Sequence, residues 1–251
     1  MTKPLILVTN DDGFLSPALE IMAKALEELG EVWIVAPSSE QSAVGHGVSL
    51  HHPLRAKKVR DHFYHVDGTP TDCVMLAVHK LLPSRPAIVI SGINTGPNLG
   101  DDVTYSGTVA GAYEGMLLGI PSIAISNASY NAREFDDIAK VGVIIAQHVL
   151  ENGLPPDTVL NVNVPQIPFE ELQGFAITKQ GLRDYGDEIH ERKDPRGIRY
   201  YWIGGMRPEH VIHDGTDFEA IAENKVSVTP LHRNITNYEA LDELKDRDIS
   251  L

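Results

Sequence analysis

An unbroken apolar run over residues 5–9 ends in the polar sequence Asn10-Asp11-Asp12-Gly13. Such a run predicts a strand buried on both faces, whose carboxyl end opens into a polar loop. In α/β proteins this end of a strand carries the chemistry. Two adjacent carboxylates repel each other, so they need hydrogen-bond donors, a counter-charge or a metal ion. Mg²⁺ and Mn²⁺ prefer hard oxygen ligands of this kind, and an Asx turn in which Asp12 caps a helix is the alternative.

The first 165 residues alternate between apolar runs and amphipathic helical patterns. The apolar runs predict strands over residues 5–9, 32–36, 87–90, 122–126 and 159–164. Patterns of helical period predict helices that begin near residues 17, 70, 107 and 135. Residues 49–66 favour a hairpin-like excursion. This alternation predicts an α/β domain over residues 1–165, with a Rossmann-like, mostly parallel sheet and helices on both faces.

Pro165 ends this alternation, and a different pattern follows it. Separate β-favouring segments lie in residues 175–178, 200–203 and 226–229, and a polar helix is predicted over residues 238–245. Strands outside a regular alternation leave unpaired edges unless another chain covers them. We therefore expect residues 166–251 to form a C-terminal, β-rich extension that is used for oligomerisation.

Three loops that follow predicted strands, over residues 10–13, 38–47 and 91–107, are rich in polar and small residues. Because these strands are predicted to be parallel, their loops emerge at one edge of the sheet and should meet in one crevice. Ser106, Gly107 and Thr108 start the helix after the third loop. The first turn of a helix offers unpaired N–H groups and a positive dipole end, which favour a phosphate. An ordinary capped helix packed closely on the sheet is compatible with the same residues.

Carboxylates, hydroxyls, amides and a helix start in one crevice suit metal-assisted phosphoryl transfer. Asp11 and Asp12 would bind the cation, residues 106–108 would hold the phosphate, and water would attack in line. The group that takes the proton from water is open, since Asp11, Asn10 as an orienting residue, and a water acidified by the cation all fit. His46, in the second loop, is a further candidate for a substrate or acid/base contact.

Composition and missing motifs exclude several other classes of function. A formal net charge of -14 disfavours binding to a nucleic-acid polymer, although a single nucleotide is compatible with it. Cys73 is the only cysteine, so neither an intrachain disulfide nor a cysteine-rich zinc site forms. No apolar run reaches membrane-spanning length, and we expect a cytoplasmic protein with no membrane partner. The chain also lacks the P-loop, dinucleotide-binding and serine-hydrolase motifs.

Several short motifs along the chain form a recognisable set. They are LVTNDDG at 7–13, VAP at 35–37 with QS at 41–42, GTPTDC at 68–73, SGIN at 91–94 with NLG at 98–100, and YSGT at 105–108. Together they resemble the SurE family, the stationary-phase survival proteins. The resemblance continues through residues 194–197, 200–202 and 226–231, so it covers nearly the whole chain. The family comprises metal-dependent 5'/3'-nucleotidases, which hydrolyse nucleoside monophosphates to nucleoside and phosphate.

The resemblance implies one divalent cation, Mg²⁺ or Mn²⁺, per subunit, and a homodimer or homotetramer formed by exchange of tail segments. The ligands that it implies for the cation are Asp11, Asp12, Ser42 and Asn94. The residues that it implies around the phosphate are Asn98, Ser106, Gly107 and Thr108. With Asn10 as the orienting residue, these form the substrate site, and the candidate catalytic residues are Asp11, Asn98, Ser106 and Thr108. The chain departs from the family at Ala43, where many members have glycine, and at residues 223–225 in the tail.

Two other functions use the same kind of crevice. A metal-dependent sugar-nucleotide transferase would turn over a nucleotide-diphosphate sugar but not simple phosphate monoesters. A non-catalytic nucleotide sensor would bind its ligand without releasing phosphate, even with Mn²⁺ present. Phosphate release from nucleoside monophosphates therefore separates both functions from that of a nucleotidase.

Overall fold

The structure is a computed structural model that describes residues 3–131, 134–183, 189–203 and 213–247. Its strands are β1 (Leu5–Thr9), β2 (Glu31–Pro37), β3 (Ala56–Arg60), β4 (Phe63–Val66), β5 (Ile88–Asn94), β6 (Ser122–Asn127), β7 (Thr158–Val164), β8 (Phe175–Ile177), β9 (Ile189–Lys193), β10 (Arg199–Ile203) and β11 (Val226–His232). Its α-helices are α1 (Pro17–Leu26), α2 (Pro70–Leu76), α3 (Gly107–Leu117), α4 (Asp136–Asn152), α5 (Asp217–Ala222) and α6 (Tyr238–Lys245). The predicted alternation of strands and helices up to residue 165 is confirmed.

The main sheet has nine strands among the described residues, in the order β3-β4-β2-β1-β5-β6-β7-β11-β8. All neighbours from β4 to β7 are parallel, so the predicted mostly parallel sheet is confirmed. β1 lies between β2 and β5, and all five of its residues are buried. The carboxyl ends of these strands therefore open at one edge of the sheet, where their loops can meet.

Helices cover both faces of this sheet. Ile6 and Val8 of β1 pack into one apolar core with α1 and α4, whereas Leu7 packs with α2 on the opposite face. α3 packs beside α2, and its glycines allow close contact with the sheet. A Cβ atom on Gly111 would come within 2.8 Å of the Ser91 hydroxyl oxygen, and one on Gly115 within 2.3 Å of the Ser122 hydroxyl oxygen. This close packing fixes the first turn of α3 at the edge where the loops open.

β5 and α5 differ from the sequence prediction. β5 extends to Asn94, whereas the sequence predicted a loop from Ser91. The apolar pattern stops at Ser91, but pairing with β6 resumes at Asn94 after a register shift at Gly92, which has a φ of +135°. α5 was not predicted, because a helix of six residues is too short to display a helical period.

The C-terminal extension contributes both to the main sheet and to a separate hairpin. β11 lies between β7 and β8, antiparallel to the first and parallel to the second. β9 and β10 form an antiparallel pair in which every residue is exposed. The three strands and the last helix predicted for this region are confirmed. Within the described ranges, no helix has the length and apolar character needed to cross a membrane.

Candidate active site

The loops after β1, β2 and β5 meet at the carboxyl edge of the sheet, as predicted. The Gln41 N–H donates to the Asp11 carbonyl at 2.8 Å. The Thr95 N–H and hydroxyl each donate to a carboxylate oxygen of Asp12 at 3.3 Å. With the start of α3, these loops enclose an open cavity of about 730 Å³. Six of the predicted site residues line it: Asp11, Asp12, Ser42, Asn94, Asn98 and Ser106.

Asp11 lines the cavity although only 5% of its surface is exposed. The Thr108 hydroxyl donates to its Oδ1 atom, and Gly107 packs against its Cβ atom. Burial raises the pKa of the Asp11 carboxyl from 3.8 to about 6; the Thr108 hydrogen bond opposes this shift, and the Asp12 charge adds to it. One side-chain donor does not offset the cost of burying this carboxylate, so the charged form gains from a bound cation.

The Asp12 carboxylate is also destabilised in its charged form. Burial raises its pKa, the Thr95 hydrogen bonds lower it, and the Glu40 charge raises it further. None of the described residues that line the cavity is Lys, Arg or His. The lining side chains therefore provide no positive charge to balance Asp11 and Asp12.

Ser42 and Asn94 are each held by one short local hydrogen bond. The Ser42 hydroxyl donates to the Glu40 carboxylate at 2.7 Å, and the Asn94 side-chain N–H donates to the Gly96 carbonyl at 2.9 Å. These bonds use hydrogens, so both side-chain oxygens keep lone pairs for a cation. Ala43, after Ser42, has a φ of +56°, a left-handed conformation that glycine adopts at lower cost.

Ser106 is both the N-cap of α3 and part of the cavity wall. Its Oγ atom accepts a hydrogen bond from the Val109 N–H at 3.0 Å. Capping uses a lone pair of the hydroxyl oxygen and leaves its hydrogen available to a ligand. Ser106 can therefore cap α3 and also donate a hydrogen bond to a phosphate, two functions that the sequence left as alternatives.

Asn98 is fixed by three polar residues on neighbouring strands. Its side-chain N–H donates to the Ser126 hydroxyl at 2.7 Å, and its backbone N–H donates to the Asn163 side chain at 2.8 Å. Its carbonyl accepts from the side chains of Asn161 and Asn163, at 2.8 and 3.0 Å. These four hydrogen bonds form a buried network that holds the loop at the cavity wall with little freedom.

The extension braces the cavity wall formed by residues 100–104. Both oxygens of Asp217 take part: one accepts from the Gly100 N–H at 2.7 Å, and the other from the Gly181 and Phe218 N–H groups at 2.8 and 3.0 Å. Arg183 donates from its backbone to Asp101 at 2.9 Å and forms an ion pair with Asp102. Residues distant in sequence therefore define the shape of the cavity.

Three predicted site residues lie behind the cavity wall instead of in it. Asn10 is fully buried, and its side chain donates to the Gly13 carbonyl at 3.0 Å. Gly107 and Thr108 contact Asp11 from the start of α3. His46 is directed elsewhere, since its Nε2 atom lies 3.0 Å from the Glu114 carboxylate beside a second cavity.

The residues present fit a divalent cation. Among the described residues, no three His, Cys, Asp or Glu side chains cluster as a metal site. A cation here would instead combine two carboxylates, Asp11 and Asp12, with the neutral oxygens of Ser42 and Asn94. Such an all-oxygen set suits Mg²⁺ or Mn²⁺ and leaves positions for water or a phosphoryl oxygen.

Comparison with known proteins settles the family. The model of the Survival protein SurE family matches residues 6–187. The chain belongs to the SurE family. Relatives named 5'-nucleotidase SurE include one from Pelobacter propionicus, 52% identical over 94% of this chain and 96% of its own, and one from Geobacter sulfurreducens, 52% identical over 98% and 94%. The crystal structure of the SurE protein from Aquifex aeolicus superposes with a TM-score of 0.87, at 46% identity over 96% of this chain and 98% of that chain.

Other residues of this SurE site did not stand out in the sequence. The sequence does contain a signal for Asn161 and Asn163, because these polar residues alternate with apolar ones in a strand whose composition otherwise predicts burial. Asp217 had none, because it lies in a short helix whose role depends on residues far away in the chain. Tyr130, which lines the cavity, had no signal either, whereas Tyr105 belongs to the YSGT motif at 105–108.

Proposed function

We propose that this SurE protein hydrolyses nucleoside 5'- and 3'-monophosphates to nucleoside and phosphate, with one divalent cation, Mg²⁺ or Mn²⁺, in each subunit. The observation that carries the proposal is that Asp11 and Asp12, which no positive side chain of the cavity balances, line one cavity with Ser106, the N-cap of α3. The names of the close relatives support the same activity. We also propose that the protein is cytoplasmic, as expected from its sequence.

A divalent cation held by these oxygens supplies charge neutralisation at the phosphoryl group and lowers the pKa of a coordinated water. Two aspartates balance its charge, so a phosphate dianion can approach a site that would otherwise repel it. The aspartates do not need to move for this purpose, since Thr108 and Thr95 already hold their carboxylates.

The start of α3 binds the phosphoryl oxygens in this proposal. The Ser106 hydroxyl donates to one oxygen, and the first N–H groups of the helix add the positive end of its dipole. Asn98 presents its amide at the same wall, and its network prevents rotation of the side chain. These donors are fixed before substrate binds, so they stabilise developing charge without reorganisation.

Phosphate release from a panel of 5'- and 3'-monophosphates, measured with Mg²⁺, Mn²⁺ or excess EDTA, tests the proposal. We expect turnover with either cation and none with EDTA. Turnover restricted to nucleotide-diphosphate sugars would favour a transferase, and saturable binding without release would favour a sensor. Turnover that EDTA leaves unchanged would exclude the cation.

We also propose that residues 1–165 are the catalytic domain and that residues 166–251 join subunits into a homodimer or homotetramer. The support is the β9–β10 hairpin, which exposes large apolar side chains: Ile189, Ile198, Tyr200, Tyr201, Trp202 and Ile203. Exposed apolar surface of this kind favours association. Sedimentation that finds only a 27.5 kDa species at micromolar concentration would contradict the assembly.

A further inference from the structure

The outer part of the active-site cavity is lined by exposed side chains that the phosphate chemistry does not use. Leu15, Tyr105 and Tyr130 line it with 80%, 58% and 48% of their surfaces exposed. A volume of about 730 Å³ is far larger than a phosphate group and a cation occupy, and it falls in the range of small-molecule sites. The remaining space must accept the rest of the substrate.

Tyr130 is held in place although its ring is half exposed. Its hydroxyl accepts a hydrogen bond from the Arg183 guanidinium at 3.0 Å. Its ring lies against Gly96, where a Cβ atom would come within 3.1 Å of the ring. Arg183 is itself fixed, because it is paired with Asp102 and nearly buried. A tyrosine supported at its hydroxyl and at its ring edge loses little rotational freedom when a ligand binds to it.

We propose that Tyr130 is the stacking surface for the nucleobase, an inference that rests on the proposed nucleotidase function. Aromatic rings stack on every base, since each base has a π face, and such contacts tolerate sequence differences. Tyr130 lies after β6 with its ring beside Gly96, and it lines the same cavity as Asn94 and Ser106. This arrangement makes Tyr130 a specificity-determining residue that favours nucleotides over phosphate esters without a base.

The test compares kcat/KM for AMP with kcat/KM for ribose 5-phosphate, which carries the same phosphate ester without a base. For Tyr130→Ala we expect kcat/KM for AMP to fall about tenfold or more, mainly through KM, because stacking of one base is lost. We expect ribose 5-phosphate to change little. Tyr130→Phe keeps the ring and should retain most of the preference for AMP.

Tyr238→Ala is the matched control, because Tyr238 is 59% exposed on α6 and does not line the cavity. Its ratio of AMP to ribose 5-phosphate activity should equal that of the wild type. An equal loss for both substrates in Tyr130→Ala would show that Tyr130 only braces the residue 94–98 loop, and would overturn the stacking role. Unchanged AMP activity would overturn it as well. A wild-type protein that turns over neither compound would refute the nucleotidase function itself, and with it the stacking role.

Discussion

Asp11 and Asp217 are both buried aspartates at the start of a loop or helix, but their carboxylates have different surroundings. Asp217 is fully buried and accepts three backbone N–H groups at 2.7 to 3.0 Å, two from the distant residues Gly100 and Gly181 and one from its neighbour Phe218. Asp11 accepts one side-chain hydroxyl, stands next to a second carboxylate and borders an open cavity. Burial raises the pKa of both carboxyls, so the pKa direction alone does not separate them.

The hydrogen-bond donors around the two carboxylates differ in number and source, and this difference separates a structural role from a ligand-binding role. A buried carboxylate that accepts N–H groups from two distant parts of the chain has a structural role, because it joins both segments to its own helix. A buried carboxylate with one side-chain donor, a negative neighbour and an open cavity beside it retains acceptor capacity that a ligand can use. The predictions below test this difference by removing one feature of either site.

The largest effect is expected for Asp12→Asn. The substitution removes one charge from the proposed cation site but little volume, so the protein should fold. We expect kcat/KM to fall by about 10²–10³-fold, the equivalent of several kcal/mol of charge stabilisation. The thermal midpoint without metal should stay equal or rise, since the repulsion with Asp11 is relieved. Full activity of the variant in EDTA would remove the basis for a cation site.

Asp217→Ala should have the opposite profile. Three backbone N–H groups lose their acceptor, and we expect the free energy of unfolding to decrease by about 2–4 kcal/mol. Urea denaturation measures this change. At a temperature where the variant is folded, its cation requirement should match that of the wild type. A stable variant with an altered cation requirement would assign Asp217 to the active site. The distinction between the roles of Asp11 and Asp217 would then be wrong.

Ser106→Ala distinguishes the cap from the phosphate donor. A cap alone would cost roughly 1 kcal/mol of stability and leave turnover almost unchanged. Loss of a preorganised donor to the phosphoryl group should lower kcat by about 10²-fold. Thermal midpoint and kcat must come from the same preparation, with Ser84→Ala as the exposed control. An unchanged kcat would place the phosphate elsewhere in the cavity.

Thr108→Val removes the only side-chain donor that Asp11 has among the described residues. Valine preserves the shape of threonine, so the effect should fall on the orientation of the carboxylate. Changes in residues that orient metal ligands typically lower metal affinity by about 10–100-fold. We expect the Mn²⁺ concentration for half-maximal activity to rise to that extent. A change in KM for substrate at saturating Mn²⁺ would instead indicate direct phosphate contact.

The smallest effect concerns pH. The pKa of Asp217 in the folded state is raised above 3.8 by burial, so the folded protein binds this proton more tightly than the unfolded chain. Its contribution to stability is complete below the unfolded pKa and decreases as pH rises through the folded pKa. The stability of the wild type relative to Asp217→Asn should therefore decline as the pH rises above the unfolded pKa of 3.8 and through the raised folded pKa. A difference independent of pH would show that the pKa of Asp217 is not raised.

Local patterns in the sequence predict the part of the site that is built from strand ends. The apolar run before Asp11 and the helix start at Ser106 each have a signal within a few residues, and the parallel sheet then brings them together. The contact between Gly100 and Asp217 has no such signal, because the two residues are 117 positions apart and the Asp217 carboxylate binds a backbone N–H group that any residue could provide. The position of β11 between β7 and β8 is equally non-local, since its composition does not reveal which strands it pairs with.

The hydrogen bonds that Asp217 accepts from Gly100 and Gly181 can form only late in the synthesis of these residues on the ribosome. A nascent chain that has reached residue 165 contains every candidate ligand and phosphate donor, yet it lacks Asp217 and the segment around Gly181. Asp217 can accept the Gly100 and Gly181 N–H groups only after it has been made, and β11 then adds beside β7, after all the parallel strands from β4 to β7 have been made. The carboxylate pair is therefore made early, whereas the residue that braces the neighbouring segment 100–104 is made about 200 residues later.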